Sequence, residues 1–213
     1  MNRHTFFFLA ILLMFSASAQ AQLKVGFKAG ALASSRSDGG IGLSSGSNET
    51  AKLSYLAGAV LAYPVYDKGF LQAELLYSNE GYRAEGIGSE VYRDHLHYLS
   101  LPILLQYEIT NQLSVGAGPE ISYLLAARQH STNNSGFPTR RPLDWYRPFE
   151  LGLNLNVQYR LLEQLSVGLR YNIGLSDITE NIEVPNFEGG TTVINTGELY
   201  NRSLQLSLLY WLR

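Results

Sequence analysis

Beyond about residue 22, apolar and polar residues alternate with a period of two over most of the chain. Leu165, Val167, Leu169, Tyr171, Ile173 and Leu175 alternate with Ser166, Gly168, Arg170, Asn172, Gly174 and Ser176. Phe149, Leu151, Leu153, Leu155, Val157 and Tyr159 do the same against Glu150, Gly152, Asn154, Asn156, Gln158 and Arg160. The segments Leu71 to Tyr77 and Leu204 to Leu212 repeat the scheme. A period of two is the mark of a strand whose two faces meet different surroundings. Four more segments, roughly 23–33, 53–65, 98–109 and 113–127, fit with less contrast. Residues 53–65 carry no charge on either parity, so the pattern leaves that strand's faces unassigned. Eight strands are predicted, each reaching the roughly nine to eleven residues that a tilted strand needs to cross the hydrocarbon layer.

The connections between these strands alternate in length. The short ones are Tyr66-Asp67-Lys68-Gly69, Thr110-Asn111-Gln112 and Leu162-Glu163-Gln164. The long ones, roughly 34–52, 81–94, 128–146 and 177–199, are rich in Ser, Gly, Asn and Thr. Outer-membrane barrels pair short periplasmic turns with long extracellular loops. Gln112-Leu113-Ser114-Val115-Gly116 also recurs as Gln164-Leu165-Ser166-Val167-Gly168, each copy just after a short turn.

Charge sorts by parity as well. Lys24, Lys28, Glu74, Glu108, Glu120, Glu150, Arg160 and Arg170 all fall on the polar parity of the strand cores. An Arg or Lys facing lipid at mid-depth costs about 2–4 kcal/mol, and selection against that cost leaves such a distribution. A soluble calyx would instead expose a continuous band of Leu, Val and Tyr to water, far beyond an ordinary apolar patch. The expected fold is all-β: an eight-stranded antiparallel up-and-down transmembrane barrel of the outer-membrane type. Tyr77, Tyr107, Phe149, Tyr159, Tyr200 and Tyr210 lie on the apolar parity near strand ends, where interfacial aromatic girdles belong. Arg202 shares that parity at the loop end, where a cation reaches lipid phosphate. Pro102 and Pro119 sit inside strands and each forfeits a ladder hydrogen bond, so a bulge or strand end is expected there.

The first residues carry a different pattern. Arg3 precedes an apolar run from Phe6 to Phe15, too short to span a bilayer as a helix, followed by Ser16-Ala17-Ser18-Ala19-Gln20-Ala21-Gln22. This reads as an export signal cleaved after Ala21, or alternatively after Ala19, leaving residues 22–213 as the barrel. The whole chain has 213 residues, a formal charge of −2 and only 16% charged residues. That balance gives no field to draw nucleic acid. The absence of Cys excludes disulfides, thiolate metal sites and a Cys nucleophile.

With these strands in place, the chain resembles the porin-family, PorT-like outer-membrane β-barrel proteins of the Bacteroidetes lineage, and more distantly OmpX-like eight-stranded barrels. The matching segments are Leu23-Lys24-Val25-Gly26-Phe27-Lys28-Ala29-Gly30, Tyr98 to Leu105, Gly116-Ala117-Gly118-Pro119, Arg170 to Leu175 and Asn201 to Leu206. The family's pattern also has Pro at the places of Pro102 and Pro119. Such barrels usually end in an aromatic residue, whereas this chain ends Tyr210-Trp211-Leu212-Arg213. The resemblance implies a location in the bacterial outer membrane and no catalytic residues. It also suggests, as an alternative role, an accessory barrel of a secretion or transport complex.

Candidate chemistry is sparse. Asp94-His95-Leu96-His97 with Ser100 is the best enzymatic constellation, that of a lipid-modifying rim enzyme, but parity puts His95 and His97 on one face and Ser100 on the other. The His pair lacks a third metal ligand, so neither a metal nor a cofactor is expected. The candidate site is instead the lumen, where Lys24, Lys28, Arg160 and Arg170 stand against Glu74, Glu108, Glu120 and Glu150. Counted up from the turns, Lys28, Glu74 and Arg170 share a mid-barrel height. Lys24, Glu108 and Arg160 form a lower layer, and Glu120 and Glu150 lie above. Eight strands leave an interior just wide enough for side chains to fill, so a plugged lumen is expected over a narrow channel. The expected role is non-enzymatic, structural or through surface interaction. The expected partners are outer-membrane lipid and lipopolysaccharide, the barrel-insertion machinery, and a protein at the loops.

Overall fold

The computed structural model describes residues 23–37, 49–85, 91–131, 146–179, 182–185, 191–194 and 199–212. The expected export signal lies outside these residues. Its strands are β1 (Lys24–Ser37), β2 (Glu49–Tyr66), β3 (Gly69–Glu80), β4 (Tyr82–Glu85), β5 (Val91–Glu108), β6 (Leu113–Ser131), β7 (Phe149–Arg160), β8 (Leu165–Gly174), β9 (Ile182–Pro185), β10 (Thr191–Ile194) and β11 (Tyr200–Trp211). Each main strand pairs antiparallel with its sequence neighbour. β1 closes the ring against β11 through pairs such as Ala29↔Leu208 and Ser34↔Ser203. β4 continues β3 beyond Gly81 and pairs with both β2 and β5. The result is a closed eight-stranded up-and-down barrel, which leaves no edge strand unpaired in the bilayer.

Parity decides which side chains turn out. Phe27 (57%), Leu169 (48%) and Leu206 (57%) are exposed on the outer wall, whereas Lys28, Arg170 and Gln205 beside them are buried inside. The β2 faces, ambiguous in sequence, resolve the same way. Tyr55, Leu61 and Tyr63 face out, and Leu56, Val60 and Ala62 face in. Tyr107, Phe149, Tyr159 and Tyr210 are exposed on the wall near strand ends. Arg202 departs from its expected place. Its guanidinium turns back to donate to the carbonyls of Gly174 (2.7 Å) and Asn201 (2.9 Å) and is buried, so it is not offered to lipid.

The strands overrun the expected spans. The segment 81–94 is not a long loop, because β4 and the start of β5 occupy most of it. The segment 177–199 holds the small β9–β10 hairpin. The prolines are accommodated without a bulge or a strand end. The β3–β5 register is the same on both sides of Pro102, but paired residues skip from Ala73↔Ile103 to Leu76↔Ser100. The β5–β6 pairing likewise skips from Pro102↔Glu120 to Leu105↔Ala117 around Pro119. Next to it, a Cβ on Gly118 would stand 1.9 Å from the Ile103 carbonyl oxygen, so only Gly permits that approach. Gly81, with φ 129°, supplies the backbone turn between β3 and β4.

Candidate functional site

The lumen is built from the inward parity of all eight strands, and its centre is Glu74 on β3. The Glu74 carboxylate accepts from Arg170 on β8 through both guanidinium arms (2.6 and 2.9 Å) and from Lys28 Nζ on β1 (3.1 Å). Gln72 Nε2 donates to it at 2.5 Å. Both the Glu74 and Lys28 side chains are essentially inaccessible, as is Arg170. The Arg170 fork is the strong, planar form of a carboxylate pair. Because β3 and β8 are not neighbours, it ties opposite walls together. Arg170 Nε donates further to Asn156 Oδ1 (3.3 Å).

Above this clamp the chemistry shifts from ion pairs to amides and hydroxyls. Glu120 on β6 accepts from Asn154 Nδ2 (2.8 Å) and Ser122 Oγ (3.1 Å). Asn154 in turn accepts from Asn172 Nδ2 at 3.1 Å. Glu150 accepts from Asn201 Nδ2 (2.6 Å), and the same amide reaches the Tyr98 hydroxyl (3.4 Å). At the turn end, Arg160 Nη2 meets Glu108 at 2.8 Å, and Arg160 Nη1 donates to the Asn111 carbonyl (3.0 Å).

The eight charges therefore do not pair four against four. Lys28, Glu74 and Arg170 meet as one triad and Arg160 meets Glu108. Lys24 is exposed at the turn end, and Glu120 and Glu150 hydrogen-bond to neutral side chains. Sequence reasoning missed Glu80, which is buried inside and accepts from Ser78 Oγ (3.1 Å). Its even parity, shared with Gln72 and Glu74, was the available signal. The inward amides, although placed on the polar parity, were not counted as part of the site. Gln72 Oε1, both amide atoms of Gln106, Asn156 Nδ2 and Gln205 Oε1 are buried without a protein partner. Such sites are where internal water would bind.

The two ends of the lumen differ. At the loop end Leu96, Tyr98, Leu124 and Ala127 pack with Tyr146 and Ile178 from the connections, and Leu199 leans on the cluster. Tyr146 bridges to Thr179, and the Arg147 N–H donates to the Ile178 carbonyl (2.9 Å), so these segments prolong the wall beyond β7 and β8, and their buried Tyr146 and Ile178 side chains fill the loop end of the lumen as an apolar cap. At the turn end the lumen opens into a recess of about 760 Å³, floored by residues such as Lys24, Glu108, Ser114, Arg160 and Ser166.

The rim constellation is divided by the wall. Ser100 Oγ lies 2.7 Å from Ser122 Oγ inside the lumen, whereas the ring of His97 lies beside that of Tyr77 on the outer wall. Among the described residues no group of three or more His, Cys, Asp or Glu could hold a metal ion.

The sequence profile described as "Outer membrane protein beta-barrel domain" matches residues 16–180, which contain β1 through β8. No curated protein matches the chain. Among solved structures the chain is similar to Ail, the attachment invasion locus protein of Yersinia pestis, at 10% identity over 90% of this chain and 99% of that one, with a TM-score of 0.44. It is similar to Neisserial surface protein A at 14% identity over 88% and 96%, TM-score 0.44. It is also similar to OprG of Pseudomonas aeruginosa at 14% identity over 90% and 94%, TM-score 0.41. With a profile match across most of its length and a closed eight-stranded barrel wrapped in apolar side chains, the chain belongs to the outer-membrane β-barrel domain family.

Proposed function

We propose that this protein is a non-enzymatic barrel of the bacterial outer membrane with a filled, closed lumen, acting as a structural element or through its loop end. It reaches the membrane by way of a signal cleaved after Ala21 or Ala19, and stands with its short turns in the periplasm and its capped end outside. The observation that carries this reading is the Glu74 clamp. A carboxylate held by Lys28 and Arg170 from two other strands leaves no free ionic path through the middle of an eight-stranded lumen. The cap over Tyr98 and Leu124 supports it from above.

Single-protein recordings in a planar bilayer test the closure, with little steady conductance expected. A large and stable open level would move the function to transport. Cell fractionation tests the address: the mature chain is expected in the outer membrane without about its first 21 residues, and a periplasmic product retaining Met1 would refute it. The second reading, an accessory barrel of a secretion or transport complex, is favoured by the recess at the turn end, a surface a periplasmic partner would meet. Stoichiometric co-purification of other subunits from intact outer membrane would select it.

A further inference from the structure

Most of the outer wall carries no charge. On β7, β8 and β11 the exposed outward residues run through Leu153, Leu155, Leu169, Leu206 and Leu208, and Arg202 is folded back onto backbone carbonyls. The upper wall over β2, β3, β5 and β6 is different. There the rings of Tyr55 and Tyr77 lie 6.3 Å apart, and Tyr77 stacks on His97 at 5.9 Å. The Tyr77 hydroxyl is 2.6 Å from His97 Nδ1; with the phenol donating, the imidazole keeps its proton on Nε2. His95 is the register partner of Arg128, and Asn79 that of His97, so these side chains stand in adjoining rows. Lys52 Nζ donates to Asn79 Oδ1 (2.7 Å) and to the Glu80 carbonyl (2.9 Å). Asn79 Nδ2 lies 3.5 Å from His95 Nδ1. Arg128 is exposed, and both it and Lys52 act electrostatically on His97.

Three basic side chains, His95, His97 and Arg128, thus stand with two tyrosines on the outer wall, while Lys52 sits on the inward parity of β2, opposite the buried Ser34. Among the outward positions whose side chains are described here, none is Asp or Glu, and the Glu80 carboxylate turns inward to Ser78. Tyr77 and Tyr123 are both register partners of Leu99, so the patch adjoins the cross-strand row that holds the Tyr123–Phe149 pair, whose rings are 5.0 Å apart. Aromatic girdles mark the headgroup layer. A guanidinium exposed there is suited to phosphate, which its planar fork matches with two parallel hydrogen bonds.

We propose that this patch binds the phosphorylated headgroup of an outer-leaflet glycolipid. Arg128 grips the phosphate, His95 flanks it, and the sugar lies against the Tyr55 and Tyr77 faces. The site rests on the orientation given above, with the loop end outside, but its test does not.

The test is native mass spectrometry of the purified mature chain in detergent, titrated with bisphosphorylated lipid A or its dephosphorylated form. Wild-type protein is expected to retain the phosphorylated lipid, and an Arg128→Gln/His95→Gln double variant to bind it on the order of tenfold more weakly. Arg147→Gln, which removes an exposed cation from the cap segment, should leave retention unchanged. Thermal midpoints close to wild type would show that the variants fold. Equal retention by wild type and double variant, equal retention of both lipid forms, or displacement by equimolar phosphatidylglycerol would each overturn the proposal. An inverted barrel would still retain the lipid in detergent, and would be revealed separately by periplasmic labelling of its loops.

Discussion

At Glu74 a single carboxylate answers two cations, and the consequence of removing it follows from what would be left. Glu74→Ala strands Lys28 and Arg170 in a site that excludes solvent, and breaking a buried pair from one side costs about 3–5 kcal/mol. Urea unfolding from lipid vesicles should register that loss, and a loss under 1 kcal/mol would show that water already screens the triad. Facing is tested at another pair of residues. Leu169→Arg, on the exposed wall, should impair insertion by about 2–4 kcal/mol. Asn154→Arg should be better tolerated, since its guanidinium enters the lumen beside Glu120. Equal damage at both would invalidate the assignment of faces. The triad was legible in the sequence because strand rise is regular: counting residues from the short turns put Lys28, Glu74 and Arg170 at one height. Which cation meets which carboxylate was not legible, because strand tilt shifts partners sideways. Glu120 and Glu150 ended beside amides because none of the four counted cations shares their upper layer.

At the scale of the elements, the alternation located all eight barrel strands but not their upper ends. Beyond the bilayer both faces of a strand meet water or the cap, so period-two contrast fades although the ladder continues. That is why β4 and the first residues of β5 were read as loop and why Glu80 was missed. The connection after β8 is held by Asp177, whose carboxylate accepts from the N–H groups of Thr179 and Leu199 (both 3.0 Å) and from the Thr179 hydroxyl (2.8 Å). Arg147 approaches it at 3.7 Å. Partial burial pushes this carboxyl up, but the N–H groups, the hydroxyl and the Arg147 charge outweigh it and hold Asp177 below its ordinary value of 3.8. A carboxylate depressed in the folded state contributes stability that is present above 3.8 and lost as pH falls through the folded value. Hydrogen exchange at Thr179 and Leu199, corrected for intrinsic rates, should therefore show protection falling on acidification below that point. Asp177→Asn should remove most of this pH dependence; an unchanged profile would assign it to other groups.

For the whole molecule, the two ends of the lumen make the barrel a one-sided cup: capped by Tyr146 and Ile178 above, clamped at Glu74, and open below through the recess. The sequence carried half of this picture. Eight strands with charges on the inner parity predicted a filled lumen, but the cap depends on residues brought together from separate connections, which no local pattern encodes. The native chain has no Cys, so single cysteines report access without background. Ser114 lines the recess, whereas Ser203 lies fully buried, further toward the loop end than the Arg170 level. In detergent, a small charged thiol reagent should modify Ser114→Cys faster than Ser203→Cys by on the order of tenfold or more, since thiol reactivity follows access. Adding Glu74→Ala should speed reaction at Ser203→Cys, because the clamp is what separates it from the recess, and should leave Ser114→Cys unchanged. Equal rates at both positions in the otherwise wild-type protein would show a continuous aqueous lumen. If Glu74→Ala did not change the Ser203→Cys rate, the barrier would lie elsewhere in the packed amides above it.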